Sequence, residues 1–160
     1  MFLVNSPIVR GDNLRFREEG VREVVSSVLL PWLNSFRFFL GQVTLLHKTT
    51  GTTFKYAPNS PLPKNTMDRW ILARCQSLIK LVREEMAAYR LHTIIPRLLE
   101  LIDDLTNWYI RFNRKRLKGE DGEEDTTEAL NTLFVALLTL CQTMVCPAML
   151  PFPCGTHPPS

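Results

Sequence analysis

The stretch from Leu91 to Lys118, LHTIIPRLLELIDDLTNWYIRFNRKRLK, decides the fold of this 160-residue chain. Its apolar residues recur at spacings of three and four, which is the period of a helix that turns one face towards a core. These residues are Ile94, Leu98, Leu101, Leu105, Trp108 and Phe112, flanked by Ile95, Ile102 and Tyr109. An apolar face of this width needs other helices to cover it.

Three further segments carry the same period, at about 20–43, 67–89 and 125–145. Pro31 lies in the middle of the first segment and predicts a kink just before it, because proline lacks a backbone donor and clashes with the preceding turn. Pro96 must lie in the first turn of its own helix. The sequence therefore predicts an all-α fold, a helical bundle of four long helices with irregular N- and C-terminal tails.

Capping residues mark the ends of these helices. We expect Thr66 to cap the second helix, and Asp125 to begin the fourth with Glu128 in a capping-box pattern. Gly119 suits the end of the third helix. The segment 44–65 contains one glycine and three prolines, and we expect it to be a linker held against the bundle by its aromatic residues, Phe54 and Tyr56.

The composition is that of an ordinary globular domain, with 45% hydrophobic and 22% charged residues. We expect no membrane contact, because no uncharged apolar run is long enough to span a bilayer. The four cysteines form no C-x-x-C pair, and Cys75 and Cys141 occupy apolar helical positions. Reduced core cysteines in a cytoplasmic protein are the expected interpretation. The three histidines are scattered, so we expect no metal site.

Residue patterns typical of catalysis are missing. The seven glycines are isolated, so no phosphate-binding loop is indicated. Asp103 and Asp104 are adjacent, and neighbours on a helix point about 100° apart on what is here the polar side. No serine or histidine has a spacing that argues for a nucleophile. We therefore expect a binding module without catalytic residues.

The basic end of the third helix is the candidate site. Six of the 16 acidic residues fall between positions 120 and 128, so the remainder of the chain is cationic and suits a polyanionic partner. The candidate RNA-binding residues are Asn107, Arg111, Arg114, Lys115, Arg116 and Lys118. Cations also suit a helix C-terminus for dipole reasons, but four on two turns exceed that need. Arg116 falls on the apolar side, where it either emerges past the bundle or meets a buried carboxylate.

Two motifs resemble a known family. They are Asp68-Arg69-Trp70-Ile71-Leu72, and Asn107-Trp108-Tyr109 followed by Arg111, Arg114 and Arg116. Both are similar to the helical anticodon-binding domain of the class I synthetases for isoleucine, valine and leucine. Within that group, the segments MAAYRL and NRKRLKGE favour the cytoplasmic-type isoleucyl-tRNA synthetases. The similarity extends over most of 4–147 and is weakest in 44–65.

The resemblance implies a parent enzyme that joins isoleucine to its tRNA with ATP and magnesium. Its His-Ile-Gly-His and Lys-Met-Ser-Lys-Ser motifs and its editing domain are not found in this sequence, so we expect the fragment to need no cofactor and to be inactive alone. The resemblance assigns 1–19 to the linker after the catalytic domain, 20–147 to the anticodon-binding domain and 148–160 to an irregular tail. The family's usual continuation after Cys146-Pro147 is replaced here by AMLPFPCGTHPPS.

The partners implied are an isoleucine-accepting tRNA and the upstream catalytic domain of the same chain. Two alternatives stay open. One is a helical module that binds other proteins and leaves its basic end as plain surface. The other is the same domain of a valyl- or leucyl-tRNA synthetase. Trp108 and Tyr109 are expected in the core and not as base-stacking residues.

Overall fold

The computed structural model describes residues 18–58, 61–88 and 90–145. The predicted N-terminal linker and C-terminal tail lie almost wholly outside these residues, as do Cys146 and Cys154. Throughout the described ranges the regular structure is helical and contains no strand. The prediction of an all-α fold is confirmed.

Four long helices and one short helix make up the bundle. They are α1 (Glu18–Thr50), α2 (Thr66–Ala87), α3 (Ile94–Phe112), α4 (Arg114–Leu117) and α5 (Glu123–Val145). The predicted four-helix bundle corresponds to α1, α2, α3 and α5, and α4 follows α3 after a single residue, Asn113. The core packs most closely around α5, which contacts α1 and α2 along its length and α4 near its start.

The irregularity in α1 lies where Pro31 predicts it. Residues Val25–Leu29 form a π-helical turn between two α-helical segments, and the Leu30 N–H donates to the Val25 carbonyl five residues back. A π turn is wider than an α turn, and such turns are among the usual causes of local irregularity in long helices. Pro31 has no N–H to donate to an α-helical hydrogen bond, so the helix widens into the π turn immediately before it.

Helix α1 is longer than the sequence pattern predicts. Residues 44–50 were expected to belong to the linker, and this was wrong: the helix ends at Thr50. The residue that stops it is Gly51, which has φ +71° and donates its N–H to the His47 carbonyl at 3.0 Å. Leu46 is buried, and its packing outweighs the modest helix preference of the threonines around it.

Two predicted caps are also wrong. Asn65, and not Thr66, caps α2, because its Oδ1 accepts from the Met67 N–H at 2.8 Å. Helix α5 begins at Glu123, two residues before Asp125, so the predicted capping box does not form. Gly119 follows α4 with φ +91°, as expected of a residue that ends a helix. Pro96 lies in the first turn of α3, as predicted.

The loop after α1 is held by aromatic contacts, as predicted. The ring of Phe54 lies 5.6 Å from that of Phe39 on α1, and the ring of Tyr56 lies 4.9 Å from that of Phe134 on α5. Phe39 and Phe134 also contact each other at 5.8 Å. These rings close one end of the core between α1 and α5.

The outer side of α1 exposes an apolar stripe. Its residues are Val25, Leu29, Leu30, Leu33, Phe36, Leu40 and Leu45, each between 37% and 48% exposed. The opposite side of the helix is buried through Val28, Phe39 and Leu46. By length and composition alone α1 could cross a membrane, contrary to the expectation from its sequence, although core helices of soluble proteins meet the same criterion.

Candidate nucleic-acid interface

A second π-helical turn, Asp104–Tyr109, sets the orientation of everything after it in α3. The Ile110 N–H donates to the carbonyl of Leu105, five residues back, so the turn contains one residue more than an α turn. One extra residue rotates the following side chains by about 100° relative to a regular helix. Leu105 and Tyr109 are therefore buried one turn apart, Trp108 turns outward, and Ile110 packs partly buried against the core.

Trp108 and Phe112 are the residues that this rotation exposes. Trp108 is 51% and Phe112 65% exposed, so the prediction that they belong to the core is wrong. Their ring centroids lie 5.8 Å apart with an angle of 30° between the planes. We call these two residues the aromatic pair. The prediction for Tyr109 is right, since it is fully buried.

The Tyr109 hydroxyl lies at the centre of a buried polar cluster. It donates to Oδ1 of Asp68 at 2.6 Å, and the Ala129 carbonyl oxygen lies 3.2 Å from it. Asp68, in the first turn of α2, is completely buried. Burial, reinforced by the neighbouring Asp68 charge, raises the pKa of Tyr109 well above its ordinary value. The phenol therefore stays protonated and acts as a donor.

Arg116 neutralises this buried carboxylate. Its Nη2 lies 3.1 Å from Oδ2 of Asp68, and its Nη1 lies 3.3 Å from Oδ1. Its Nε and Nη2 also donate to the two carboxylate oxygens of Asp125 at 2.6 Å each, and Nη1 donates to the Asn113 side chain at 2.9 Å. All three guanidinium nitrogens are thus occupied inside the protein.

The same contacts explain the charge states of the cluster. The hydrogen bonds to Asp125, followed by those to Asp68, raise the pKa of Arg116 above its ordinary value despite the cost of burial. The hydrogen bonds from Arg116 lower the pKa of Asp125. Both groups are charged at neutral pH, and the pair ties α4 to the start of α5.

Of the two arrangements that the sequence allowed for Arg116, the structure shows the contact with a buried carboxylate. Arg116 is 8% exposed and meets a buried carboxylate instead of emerging past the bundle. Because its donors point inward, Arg116 does not offer them to a phosphate. We leave it out of the set of residues proposed to contact RNA.

The remaining cations of this segment face solvent. Arg111, Arg114, Lys115 and Lys118 are all exposed, and within the described part of the chain none of the four forms an ion pair. We call these four residues the basic face. Asn107 lies one turn before Arg111 and is also exposed, with its Nδ2 donating to Oδ1 of Asp103 at 2.5 Å. The structure thus exposes five of the six predicted residues, on α3, on α4 and in the turn after α4.

A shallow cavity adjoins the basic face. Arg111 and Arg114 line it from one side, while Asn34, Ser35 and Phe38 of α1 line it from the other, and its volume is about 360 Å³. The aromatic pair and Lys115 follow the next row of the same surface, because positions 108, 112 and 115 are spaced by four and three. Arg111 lines the cavity and lies between Trp108 and Phe112 in sequence.

The acidic members of the buried cluster were missed at the level of sequence. Asp68 precedes Ile71, Cys75, Leu78 and Val82 at helical spacing, so it belongs to the buried side of α2. That spacing could have paired it with Arg116, which also falls on an apolar side. Asp68 was instead assigned to the helix dipole, and Asp125 to a cap.

In the described ranges no three His, Cys, Asp or Glu residues are grouped so as to hold a metal ion. Burial raises the pKa of the Cys75 thiol to about 12, so it stays protonated in the core. Cys141, partly buried on α5, also has a raised pKa because of desolvation.

The chain is similar to a known family of proteins. Residues 68–149 match the family model described as the anticodon-binding domain of tRNA ligase. The chain belongs to this family of anticodon-binding domains. Its relatives include cytoplasmic isoleucine–tRNA ligases, and the chain is 58% identical to that of Schizosaccharomyces pombe, 56% to that of Saccharomyces cerevisiae and 53% to that of Mus musculus.

Each of these three matches covers 90% of the chain. It covers only 14%, 13% and 12% of the respective relatives. The chain thus spans only a small part of the length of these relatives, and both sequence motifs of the resemblance lie within the matched residues 68–149.

Proposed function

We propose that this chain is the tRNA-binding domain of an isoleucine–tRNA ligase, which attaches isoleucine to its tRNA in the cytoplasm. The observation that carries the proposal is the basic face, where Arg111, Arg114, Lys115 and Lys118 are exposed and carry no internal ion pair. A surface of unpaired cations at one end of a rigid bundle is suited to a phosphate backbone. The similarity to cytoplasmic isoleucine–tRNA ligases supports an isoleucine-accepting tRNA as the RNA.

The cations differ in what they contribute. An arginine can grip a phosphate with two parallel hydrogen bonds, whereas a lysine acts as a point charge. Arg111 and Arg114 at the cavity edge therefore fix the position of the RNA backbone. Lys115 and Lys118 attract the phosphates electrostatically without fixing their orientation. Asn107, which already donates to Asp103, extends the polar surface by one turn. Such contacts position the RNA and do not distinguish bases by themselves.

The ligation reaction belongs to the parent enzyme. ATP and magnesium would bind in its catalytic domain, and the sequence described here contains neither of the family's nucleotide-binding motifs. The role proposed for this domain is to bind the tRNA while the catalytic domain of the parent enzyme attaches isoleucine to its acceptor end. The domain alone is expected to have no aminoacylation activity.

Binding of purified chain to a labelled isoleucine-accepting tRNA tests the proposal. A salt-dependent complex is expected, tighter for this tRNA than for a non-cognate tRNA of the same length. Absence of binding at 50 mM salt, in a sample shown by circular dichroism to be helical, would contradict the proposal. Aminoacylation of the full-length parent with isoleucine, valine and leucine would decide between this ligase and its valyl or leucyl counterparts.

The apolar stripe on α1 favours a second role, contact with another protein surface. The occupant that we propose is the remainder of the ligase, since the relatives are about seven times longer than this chain. A membrane would be a poor occupant because Arg37 lies in the middle of the helix, where a charge costs about 3 kcal/mol in a bilayer. Binding of a separately expressed catalytic domain, abolished by Leu33→Glu and Leu40→Glu, tests this role. Partition of the chain into phosphatidylcholine vesicles would contradict it.

A further inference from the structure

The aromatic pair is an exposed apolar surface within a basic one. Trp108 and Phe112 expose more than half of their surface, although the helix they belong to buries Leu98, Leu101, Leu105 and Tyr109. Such exposure costs free energy, since burying a large aromatic side chain is favourable. The neighbours on this surface are cations, with Arg111 between the two rings in sequence and Lys115 one turn beyond.

The arrangement of the two rings suits a flat, apolar ligand. Their planes are inclined by 30° and their centroids are 5.8 Å apart, a tilted and not an edge-to-face contact, and both side chains are more than half exposed, so we treat them as one stacking platform. A nucleobase stacks on such a platform irrespective of its identity, because every base has a π face. The cations beside the platform would bind the phosphates on either side of that base.

We propose that the aromatic pair stacks an unpaired base of the RNA whose phosphates bind the basic face. This inference rests on the proposed function and deepens it, because it specifies that the bound RNA is single-stranded at this point. A base inside a duplex has its faces covered by its neighbours and could not reach the platform. The platform would therefore select loops over stems, while the basic face binds both.

The closing experiment uses two hairpin RNAs with the same stem. One has the seven-nucleotide loop of the isoleucine anticodon arm, and the other is closed by a compact tetraloop with its bases stacked. The variants are Trp108→Ala with Phe112→Ala, the conservative Trp108→Phe, and the control Phe36→Ala, which removes an exposed ring from α1. Affinities are measured for each protein and each hairpin over a salt series.

Three results are expected. The double variant loses roughly 5- to 150-fold in affinity for the open loop, the range that base–aromatic stacking spans. Its affinity for the tetraloop hairpin and the slope of log K against log salt stay unchanged. Trp108→Phe retains most of the affinity, and Phe36→Ala retains all of it. Because both rings are exposed, the variants are expected to unfold at the same temperature as the wild type.

Fluorescence gives an independent readout. Stacking of a base quenches a tryptophan, and the quenching due to Trp108 is the part lost in Trp108→Phe, since Trp32 and Trp70 are present in both proteins. Equal binding of the open loop by wild type and double variant, with no quenching assignable to Trp108, would overturn the inference and leave the proposed function intact. Failure of the wild type to bind either hairpin would overturn both.

Discussion

Nη2 of Arg116 lies 3.1 Å from Oδ2 of Asp68, a carboxylate that is completely buried at the start of α2. This pair connects α4 to α2, and the bond from the same guanidinium to Asp125 connects α4 to α5. One cation of the basic segment is thereby used to hold the segment in place. The Arg116 links thus hold α4 against α2 and α5. The exposed cations of the same segment are Arg111, Arg114, Lys115 and Lys118.

Removing Arg116 should destabilise the fold. Arg116→Ala leaves Asp68 charged, buried and without its cation, which costs about 3–5 kcal/mol in free energy of unfolding. The measurement is urea denaturation followed by circular dichroism. The matched control is Arg97→Ala, which breaks an exposed pair with Glu100 and should cost less than about 1 kcal/mol. Equal losses in the two variants would show that the Arg116 pair is not the buried link described here.

The Tyr109 hydroxyl should contribute separately. Tyr109→Phe removes the donor 2.6 Å from Asp68 while keeping the ring, so the expected loss is about 1–3 kcal/mol in the same assay. Tyr56→Phe, at a ring that is 41% exposed, is the control and should be close to neutral. A Tyr109→Phe variant as stable as the wild type would mean that the hydroxyl bond adds nothing to the buried cluster.

The Arg116–Asp125 bond should make stability depend on pH in acid. Hydrogen bonds from Arg116 lower the pKa of Asp125 in the folded state below the value of about 3.9 for an unfolded chain. The folded state then binds fewer protons, so this contribution is fully present above about pH 4 and is lost as the pH falls through the folded pKa.

The variant Asp125→Asn measures that contribution. It should be less stable than the wild type at pH 7, and the difference in free energy of unfolding should shrink between pH 4 and pH 2. Urea denaturation at half-unit intervals of pH provides the measurement. A difference that stays constant over this interval would show that Asp125 is not charged preferentially in the folded state.

Burial should protect Cys75 from alkylation. Its thiol is 1% exposed and burial raises its pKa to about 12, so almost no thiolate is present at pH 8. Iodoacetamide should modify the peptide containing Cys141 faster than the one containing Cys75, as read by mass spectrometry. In urea the two rates should converge. Faster labelling of Cys75 in the native protein would contradict its position in the core.

The helices could be predicted from the sequence because their apolar residues keep a helical period over several turns. The extension of α1 to Thr50 was missed, since a run of threonines resembles a loop when the burial of Leu46 is not known. The π turn at Asp104–Tyr109 could not be predicted either. It contains no proline or glycine, and its register is set by partners distant in sequence, such as Asp68, which accepts from Tyr109.

The RNA-binding role of the candidate site stays a prediction, and only the exposure of its residues can be compared with the sequence pattern. Helical spacing placed Arg111, Arg114 and Lys118 on one stripe and marked Arg116 as different from them. What the spacing could not provide was the rotation that exposes Trp108 and Phe112, because a regular helix places both in the core. The aromatic pair therefore emerges only from the three-dimensional arrangement.

The salt dependence of tRNA binding tests the central claim most directly. In wild type, log K falls linearly with log salt, by about 0.9 for each phosphate contact on a duplex. The variant Arg111→Ala with Arg114→Ala should bind more weakly and lower this slope by roughly two, whereas Arg69→Ala with Arg83→Ala, which removes two exposed arginines from α2, should leave it unchanged. Identical slopes for wild type and the Arg111/Arg114 variant would contradict the assignment of the basic face to RNA.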